Sequence, residues 1–211
     1  MHDIRYNEVR DEFYVGNPFA QAVLTFRGGA DGQEGPIRII QGPKTMLENV
    51  DTLEIDVVNN EIIVPEGDNV LVTDGTLTGD NVGWQTAYRR GRESILIFDR
   101  TANGETKPLR VIRGPNTGIH GIRQMQIQPT GGWIIISQIT DGGVPEPEGT
   151  FVGVWSINDS GDVPPRWKIE GKPSNIMKKP RGVALNPKHK ELIVSDMRLN
   201  SVLTFYFPEI F

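Results

Sequence analysis

The stretches QMQIQPTGGWIII (124–136) and GVALNPKHKELIV (182–194) decide the fold, because each alternates apolar and polar residues, turns, and continues as an apolar run. Residues two apart lie on the same face of a strand, and alternation followed by a tight turn is typical of a β-hairpin. Two further copies of this pattern are DIRYNEVRDEFYV (3–15) and TLEIDVVNNEIIV (52–64). Four matched copies predict four equivalent hairpins whose apolar positions face one core.

A second pair of strands follows each hairpin. Its first strand ends in a bulky aromatic residue, as in VLTF (23–26), ILIF (95–98), VGVW (152–155) and VLTF (202–205). After the first three, a turn rich in Asn, Asp and Gly leads to Pro and another strand, which closes on a Gly always 16 residues after the aromatic residue. Each repeat therefore has four strands, here named a to d, and the fourth repeat stops after strand c.

The repeats differ in length because of their b–c connections. Two of these connections carry insertions, 65–93 and 138–149, and without them the unit is about 49 residues long. Four-stranded repeats of roughly 40–50 residues are typical of the blades of a β-propeller. The sequence predicts one all-β propeller domain of four antiparallel blades, approximately 1–42, 43–114, 115–171 and 172–211, in which the last blade lacks its outer strand.

Several strings also resemble NHL-type propeller repeats of bacterial proteins: EIIVPEGDNVLV (61–72), SILIFDRTANG (94–104), PLRVIRGPNT (108–117) and KPRGVALNPKHKELIVSD (179–196). The resemblance covers nearly all of the chain outside the two insertions. It implies a six-bladed ring of which this chain is the C-terminal part, with a compact four-bladed ring or an assembly of chains as alternatives. If this chain lacks an N-terminal portion of the protein, the resemblance is compatible with a secreted or periplasmic protein. The resemblance implies no single activity, because such propellers include enzymes, ligand-binding modules and protein-binding modules.

Composition narrows the function classes. With 211 residues and a net charge of −5, the chain is not expected to bind nucleic acid non-specifically. It has no cysteine, which excludes thiolate metal sites and cysteine nucleophiles. The histidines are spaced too widely to predict a metal site, no Gly-x-Ser-x-Gly motif occurs, and no apolar run is long enough to span a membrane. We therefore expect no catalytic residue, metal or other cofactor.

The first candidate site is the face that carries the insertions. All b–c and d–a connections of a propeller emerge on one face, and insertions confined to one face of a repeat array often build its binding surface. The longer insertion holds an aromatic and cationic mixture typical of interface anchors, namely Trp84, Tyr88, Arg89, Arg90 and Arg92. The arginines equally suit a solvated loop beside a strand edge.

The second candidate site is the mouth of the central channel on the same face. The residues just before strand a should surround it, and by alignment they are His2, Asp51, Arg123 and Arg181. Two guanidinium groups that face one carboxylate suit a carboxylate or phosphate ligand. The alternative is that these side chains pair with one another or only solvate the channel.

These features favour a non-catalytic binding or scaffold module that presents its insert-bearing face to a protein or glycan partner. One alternative is a propeller enzyme, a lyase or hydrolase, with its site in the central channel. Another is a structural protein that assembles with itself through the open strand edge of its last blade. An enzyme would need an acid or base within hydrogen-bonding reach of a group that stabilises charge at the channel mouth.

Overall fold

A computed structural model of the chain describes residues 3–66, 93–139, 149–172 and 176–211, together with the backbone of 69–71 and 86–88. In these parts the chain forms three antiparallel sheets of four strands, one of three, and a separate two-stranded hairpin within the first insertion. Each sheet is built from one sequence repeat, with its strands side by side in chain order. The all-β class and the last sheet's missing fourth strand are confirmed. Within the same ranges, no helix has the length and hydropathy to cross a membrane.

The strands have the following bounds. The first sheet contains β1 (Asp3–Asn7), β2 (Glu12–Asn17), β3 (Ala22–Arg27) and β4 (Arg38–Gln41). The second contains β5 (Glu54–Asp56) and β6 (Glu61–Glu66), followed by an inserted hairpin of β7 (Asn69–Leu71) and β8 (Thr86–Tyr88), and then β9 (Ser94–Asp99) and β10 (Arg110–Ile112). The third contains β11 (Ile122–Gln128), β12 (Trp133–Gln138), β13 (Phe151–Ser156) and β14 (Trp167–Glu170). The last contains β15 (Pro180–Asn186), β16 (Glu191–Asp196) and β17 (Ser201–Tyr206).

The two insertions differ in detail from the expected loops. The first begins two residues later than predicted, because β6 continues through Pro65 and Glu66, which pair with β9. Part of it is itself a hairpin, since β7 pairs with β8. The second also begins later, because Gln138 still pairs with Phe151 as the last residue of β12.

Every sheet carries apolar side chains on both faces. We call the face toward the preceding sheet the rear face and the face toward the following sheet the front face. Between the first and second sheets, Tyr14, Val23 and Ile40 pack with Ile55, Ile62, Val64, Leu96 and Phe98. Between the second and third, Ile63, Ile95, Ile97 and Ile112 pack with Met125, Ile134, Ile136 and Trp155. Between the third and last, Ile135, Val152 and Val154 pack with Val183, Leu192 and Val194. The matched hairpin positions therefore lie in equivalent surroundings.

A second contact joins the sheets at their outer rim. The c–d turn of the second sheet bonds to the outer strand of the first, where the Gly104 N–H donates to the Ile39 carbonyl at 2.6 Å. The third sheet repeats this contact on the second, where the Gly161 N–H donates to the Val111 carbonyl at 2.7 Å. The acidic residue after the second of these glycines, Asp162, accepts the Asn116 N–H at 2.7 Å, in the 3₁₀ turn Pro115–Thr117 that follows β10.

We predict that Gly114→Ala destabilises the protein by about 1–3 kcal/mol. Gly114 has φ 140° and ψ 172°, a conformation that residues with a side chain avoid, and an added Cβ would lie 2.3 Å from Asp162 Cγ. The urea midpoint of unfolding measures the loss. Gly32→Ala is the matched control, because an added Cβ there meets nothing within 4 Å. Equal midpoints for the two variants would show that neither the backbone conformation of Gly114 nor its closeness to Asp162 constrains this position.

Candidate functional site

The four sheets meet around an open cavity of about 630 Å³. Strand a of each sheet, or the residues just before it, contributes to the wall, so the cavity lies at the inner ends of all four sheets. The wall consists of Asp3, Arg5, Asp51, Thr52, Arg123, Gln124, Arg181, Gly182 and Ser195. Polar and charged side chains dominate this surface, as expected where the edges of strands face solvent.

The structure brings three of the predicted channel residues together. Asp51, Arg123 and Arg181 all line the cavity, one from each of the last three sheets. Asp51 and Arg181 are exposed, and Arg123 is half-buried. The fourth predicted residue, His2, lies outside the described residues. The alignment of the repeats thus placed two guanidinium groups and one carboxylate in one cavity, and their role in binding remains a prediction.

Sequence reasoning missed a chain of polar contacts in the cavity wall. Asp3 Oδ2 accepts the Leu53 N–H at 3.1 Å and the Thr52 hydroxyl at 2.7 Å, across the first two sheets. Gln124 Oε1 accepts the Val183 N–H at 2.8 Å, across the third and last sheets. Asp3 and Gln124 occupy equivalent positions on their strands, one residue before the first apolar site. A polar side chain here therefore ties one sheet to the next.

A buried carboxylate joins the first three sheets. Glu54 accepts hydrogen bonds from Arg5 Nη2 at 3.0 Å and from Gln126 Nε2 at 2.8 Å. Burial raises the pKa of Glu54, and the neighbouring Arg5 guanidinium opposes that rise. Arg5 also pairs with Asp3 at 2.5 Å. Arg5 is therefore held in the wall by two carboxylates, whereas the Arg181 side chain is exposed and makes no ion pair with any residue that the structure describes.

The last residue of strand b holds the loop that carries each predicted site residue. Glu66 Oε2 accepts the Asn49 N–H at 2.6 Å, close to Asp51. In the third sheet, Gln138 Oε1 accepts the His120 N–H at 2.8 Å, and the loop continues to Arg123. In the last sheet, Asp196 Oδ2 accepts the Lys178 and Lys179 N–H groups at 2.6 and 2.8 Å, just before Arg181. A sequence signal for this role existed, because strand b ends on an acceptor side chain in every repeat: Asn17, Glu66, Gln138 and Asp196.

The predicted anchors of the first insertion are not placed by the structure. Trp84, Arg89, Arg90 and Arg92 lie outside the described residues, and so does the side chain of Tyr88, whose backbone ends β8. The starting points of both insertions are placed, at the ends of β6 and β12. Both ends contact the loops that lead to the cavity, so the insertions leave the sheets on the side of the predicted cavity residues.

Two of the three histidines lie at separate sites. His120 Nδ1 is 2.8 Å from the Gly118 carbonyl, in the loop before β11. His189 lies in the turn between β15 and β16, at the other end of its sheet. Among the residues that the structure describes, no group of three His, Cys, Asp or Glu side chains is arranged to hold a metal ion.

Comparison with known proteins supports the fold alone. No protein family and no curated protein matches the sequence, so the NHL-type resemblance is not confirmed. Solved β-propellers match the structure. The WD40 propeller domain of Doa1 has a TM-score of 0.54 and 11% identity, and the match covers 99% of this chain and 55% of that one. A 6-phosphogluconolactonase-like protein of Bacteroides fragilis has a TM-score of 0.59 and 12% identity, and the match covers 97% of this chain and 49% of that one. Hydrazine synthase of Kuenenia stuttgartiensis also matches (TM-score 0.54, 14% identity, 95% and 51%). The chain is thus a β-propeller fold, and it spans about half the length of the solved chains that it matches.

We predict that Glu66→Gln stabilises the protein at alkaline pH. Burial raises the pKa of Glu66 from 4.5 to about 8, so folding favours the protonated carboxyl group, and its contribution to stability is lost as the pH rises from about 4.5 through 8. Glutamine keeps an acceptor for the loop and has no charge to bury, as Gln138 shows at the equivalent position. We expect the free energy of unfolding of the variant to exceed that of the natural chain by at least about 1 kcal/mol at pH 9.

Urea unfolding at pH 6 and pH 9 measures this effect. Glu8→Gln, on the exposed turn before β2, is the control and should leave the pH profile unchanged. A Glu66→Gln profile parallel to that of the natural chain would show that Glu66 ionises normally in the folded protein.

Proposed function

We propose that this protein is a non-catalytic binding module that holds an acidic protein or glycan partner at its central cavity. The observation that supports this most strongly is the convergence of Arg123, Arg181 and Asp51 in one open cavity of about 630 Å³. A cavity of this size accommodates a side chain or a sugar unit of a larger partner. The partner's remaining surface would contact the insert-bearing face around the cavity.

The charges of the cavity indicate the chemistry of the ligand. A guanidinium group such as that of Arg181 donates paired hydrogen bonds to a carboxylate or phosphate group. Asp51 is exposed in the same wall and accepts hydrogen bonds from hydroxyl or amide groups. A ligand that carries an acidic group beside a hydroxyl or amide group would match both the Arg181 guanidinium group and the Asp51 carboxylate. Acidic peptides and glycans that contain uronic acids have this combination.

Two carboxylates at the cavity, Asp3 and Glu54, suit a structural role better than a catalytic one. Asp3 accepts two hydrogen bonds besides its ion pair with Arg5, and Glu54 is buried beneath Arg5 and Gln126. A general acid or base must reach the substrate and exchange a proton with it. Both carboxylates are instead occupied in joining the sheets. Ser195 also lines the cavity; a serine nucleophile needs a general base within hydrogen-bonding reach, and neither described histidine is hydrogen-bonded to Ser195.

The wall also suits a preformed site. The loops that carry the cavity residues are fixed by hydrogen bonds from the ends of strand b, and the strands themselves are tied by Asp3, Glu54 and Gln124. A ligand therefore meets guanidinium groups on a rigid frame, so little conformational entropy is lost on binding.

We predict that Arg123→Ala and Arg181→Ala each weaken binding of an acidic ligand about tenfold or more, because each removes a charge-assisted hydrogen bond worth roughly 1.5–3 kcal/mol. Fluorescence anisotropy with a labelled oligoglutamate peptide and with a labelled uronic-acid oligosaccharide measures the two dissociation constants. Binding should also weaken as salt is added.

Arg10→Ala is the matched control. It removes the same charge from the exposed turn between β1 and β2, at the other end of the sheet, and should leave the affinity unchanged. Equal losses from Arg10→Ala and Arg181→Ala would reduce the effect to net charge and contradict a cavity site. A natural chain that binds neither probe would contradict the proposed function.

A further inference from the structure

The rear face of the first sheet is apolar and uncovered. Ile4 and Tyr6 of β1 are 49% and 48% exposed. Their equivalents in the later sheets, the apolar sites at the start of each hairpin, are buried or partly buried against a preceding sheet: Leu53, Ile55, Met125, Ile127, Val183 and Leu185. The first sheet therefore carries the surface that elsewhere in this molecule packs against another sheet.

The front face of the last sheet is uncovered in the same way. Val202 and Tyr206 of β17 are 67% and 74% exposed. The corresponding strand is buried on this side in two other sheets. Its buried residues are Val23 and Thr25 in the first sheet, and Val152 and Val154 in the third. Val202 and Thr204 repeat the Val-x-Thr pattern of β3. The chain thus has both halves of one further sheet-to-sheet interface, at its two opposite ends.

We propose that two copies of this chain assemble head to tail into one ring of eight sheets. The front face of the last sheet in each copy packs against the rear face of the first sheet in the other. The two contacts are identical and are related by a two-fold axis through the channel. They continue, with the same classes of residue, the interface that joins successive sheets within one copy.

Two observations support a second copy as the occupant. A four-sheet ring of one chain would bury Tyr6 and Val202 against each other's sheets, whereas both are exposed. Propellers typically contain four to eight blades, so two copies complete a ring within that range and three do not.

A heterologous contact of this kind closes only if the curvature of the copies matches; otherwise it propagates into a filament. Closure has a direct consequence for the cavity. The inner strands of both copies would face one channel, so each copy's cavity would be walled on its open side by its partner. The interface itself depends only on the apolar faces and not on the proposed ligand.

Cross-linking tests the head-to-tail contact, because the chain has no cysteine of its own. Tyr6→Cys and Ala184→Cys each place one thiol on an innermost strand, on the rear and front faces respectively. Inner strands of successive sheets approach to hydrogen-bonding distance, as Gln124 and Val183 do at 2.8 Å, so a short bis-maleimide should span the two thiols. We expect a covalent dimer when the two single variants are mixed, and none from either variant alone.

Light scattering of the natural chain measures the assembly directly. We expect twice the 23.5 kDa mass of one chain at micromolar concentration. Tyr6→Glu and Val202→Lys should each give the single-chain mass with an unchanged far-UV circular dichroism spectrum, because each buries a charge in the contact. Val9→Lys is the control, since Val9 is 77% exposed on the turn before β2, and it should stay dimeric.

Three results would overturn the proposal. A natural chain with the mass of one copy would show that the faces are covered by something else or by nothing. Covalent dimers from Tyr6→Cys alone would show that two first sheets meet each other. A continuous series of larger species would show an open filament instead of a ring.

Discussion

The structure depends on one constraint, which is that the second and third sheets are apolar on both faces and must be covered on both. Leu96 and Phe98 face the first sheet while Ile95 and Ile97 of the same strand face the third, and all four are fully buried. A strand with alternating residues on two apolar faces cannot lie at a surface without exposing one of them. Each sheet is therefore stabilised by its neighbours, and stability accumulates along the array as a series of nearest-neighbour contacts.

Apolar packing has little directionality, so polar contacts set the spacing of the sheets. At the inner end, Asp3 and Gln124 each accept the backbone N–H of the next sheet's first strand. At the rim, a glycine in the c–d turn extends the outer strand of the preceding sheet. Between these ends, the Arg100 guanidinium of the second sheet reaches Glu12 of the first at 2.6 Å. All three kinds of contact join the first and second sheets and hold them at a fixed angle.

The sequence predicted the parts of the fold that repeat. Period-two alternation identified the four hairpins, and the constant distance from aromatic residue to glycine identified the outer strands, because both patterns follow from strand geometry. The same alignment placed Asp51, Arg123 and Arg181 together. It could not predict that Arg5, Glu54 and Gln126 meet, because a polar residue between apolar ones on an inner strand has the pattern of a solvent-facing position. Nor could it predict that β6 runs through Pro65, since proline ordinarily ends a strand.

The exposure of Arg181 depends on which residues the last sheet has at the inner positions of the cavity wall. Asp3, Thr52 and Gln124 occupy equivalent positions, and in the last sheet that position is Gly182. A Cβ on Gly182 would lie 2.9 Å from Gln124 Oε1, so glycine is what lets the Gln124 side chain reach Val183. The next inward position, Arg5 in the first sheet, is Ala184 in the last. The last sheet therefore has no side chain at these two positions that could pair with Arg181 as Asp3 pairs with Arg5, and Arg181 is exposed at this end of the cavity.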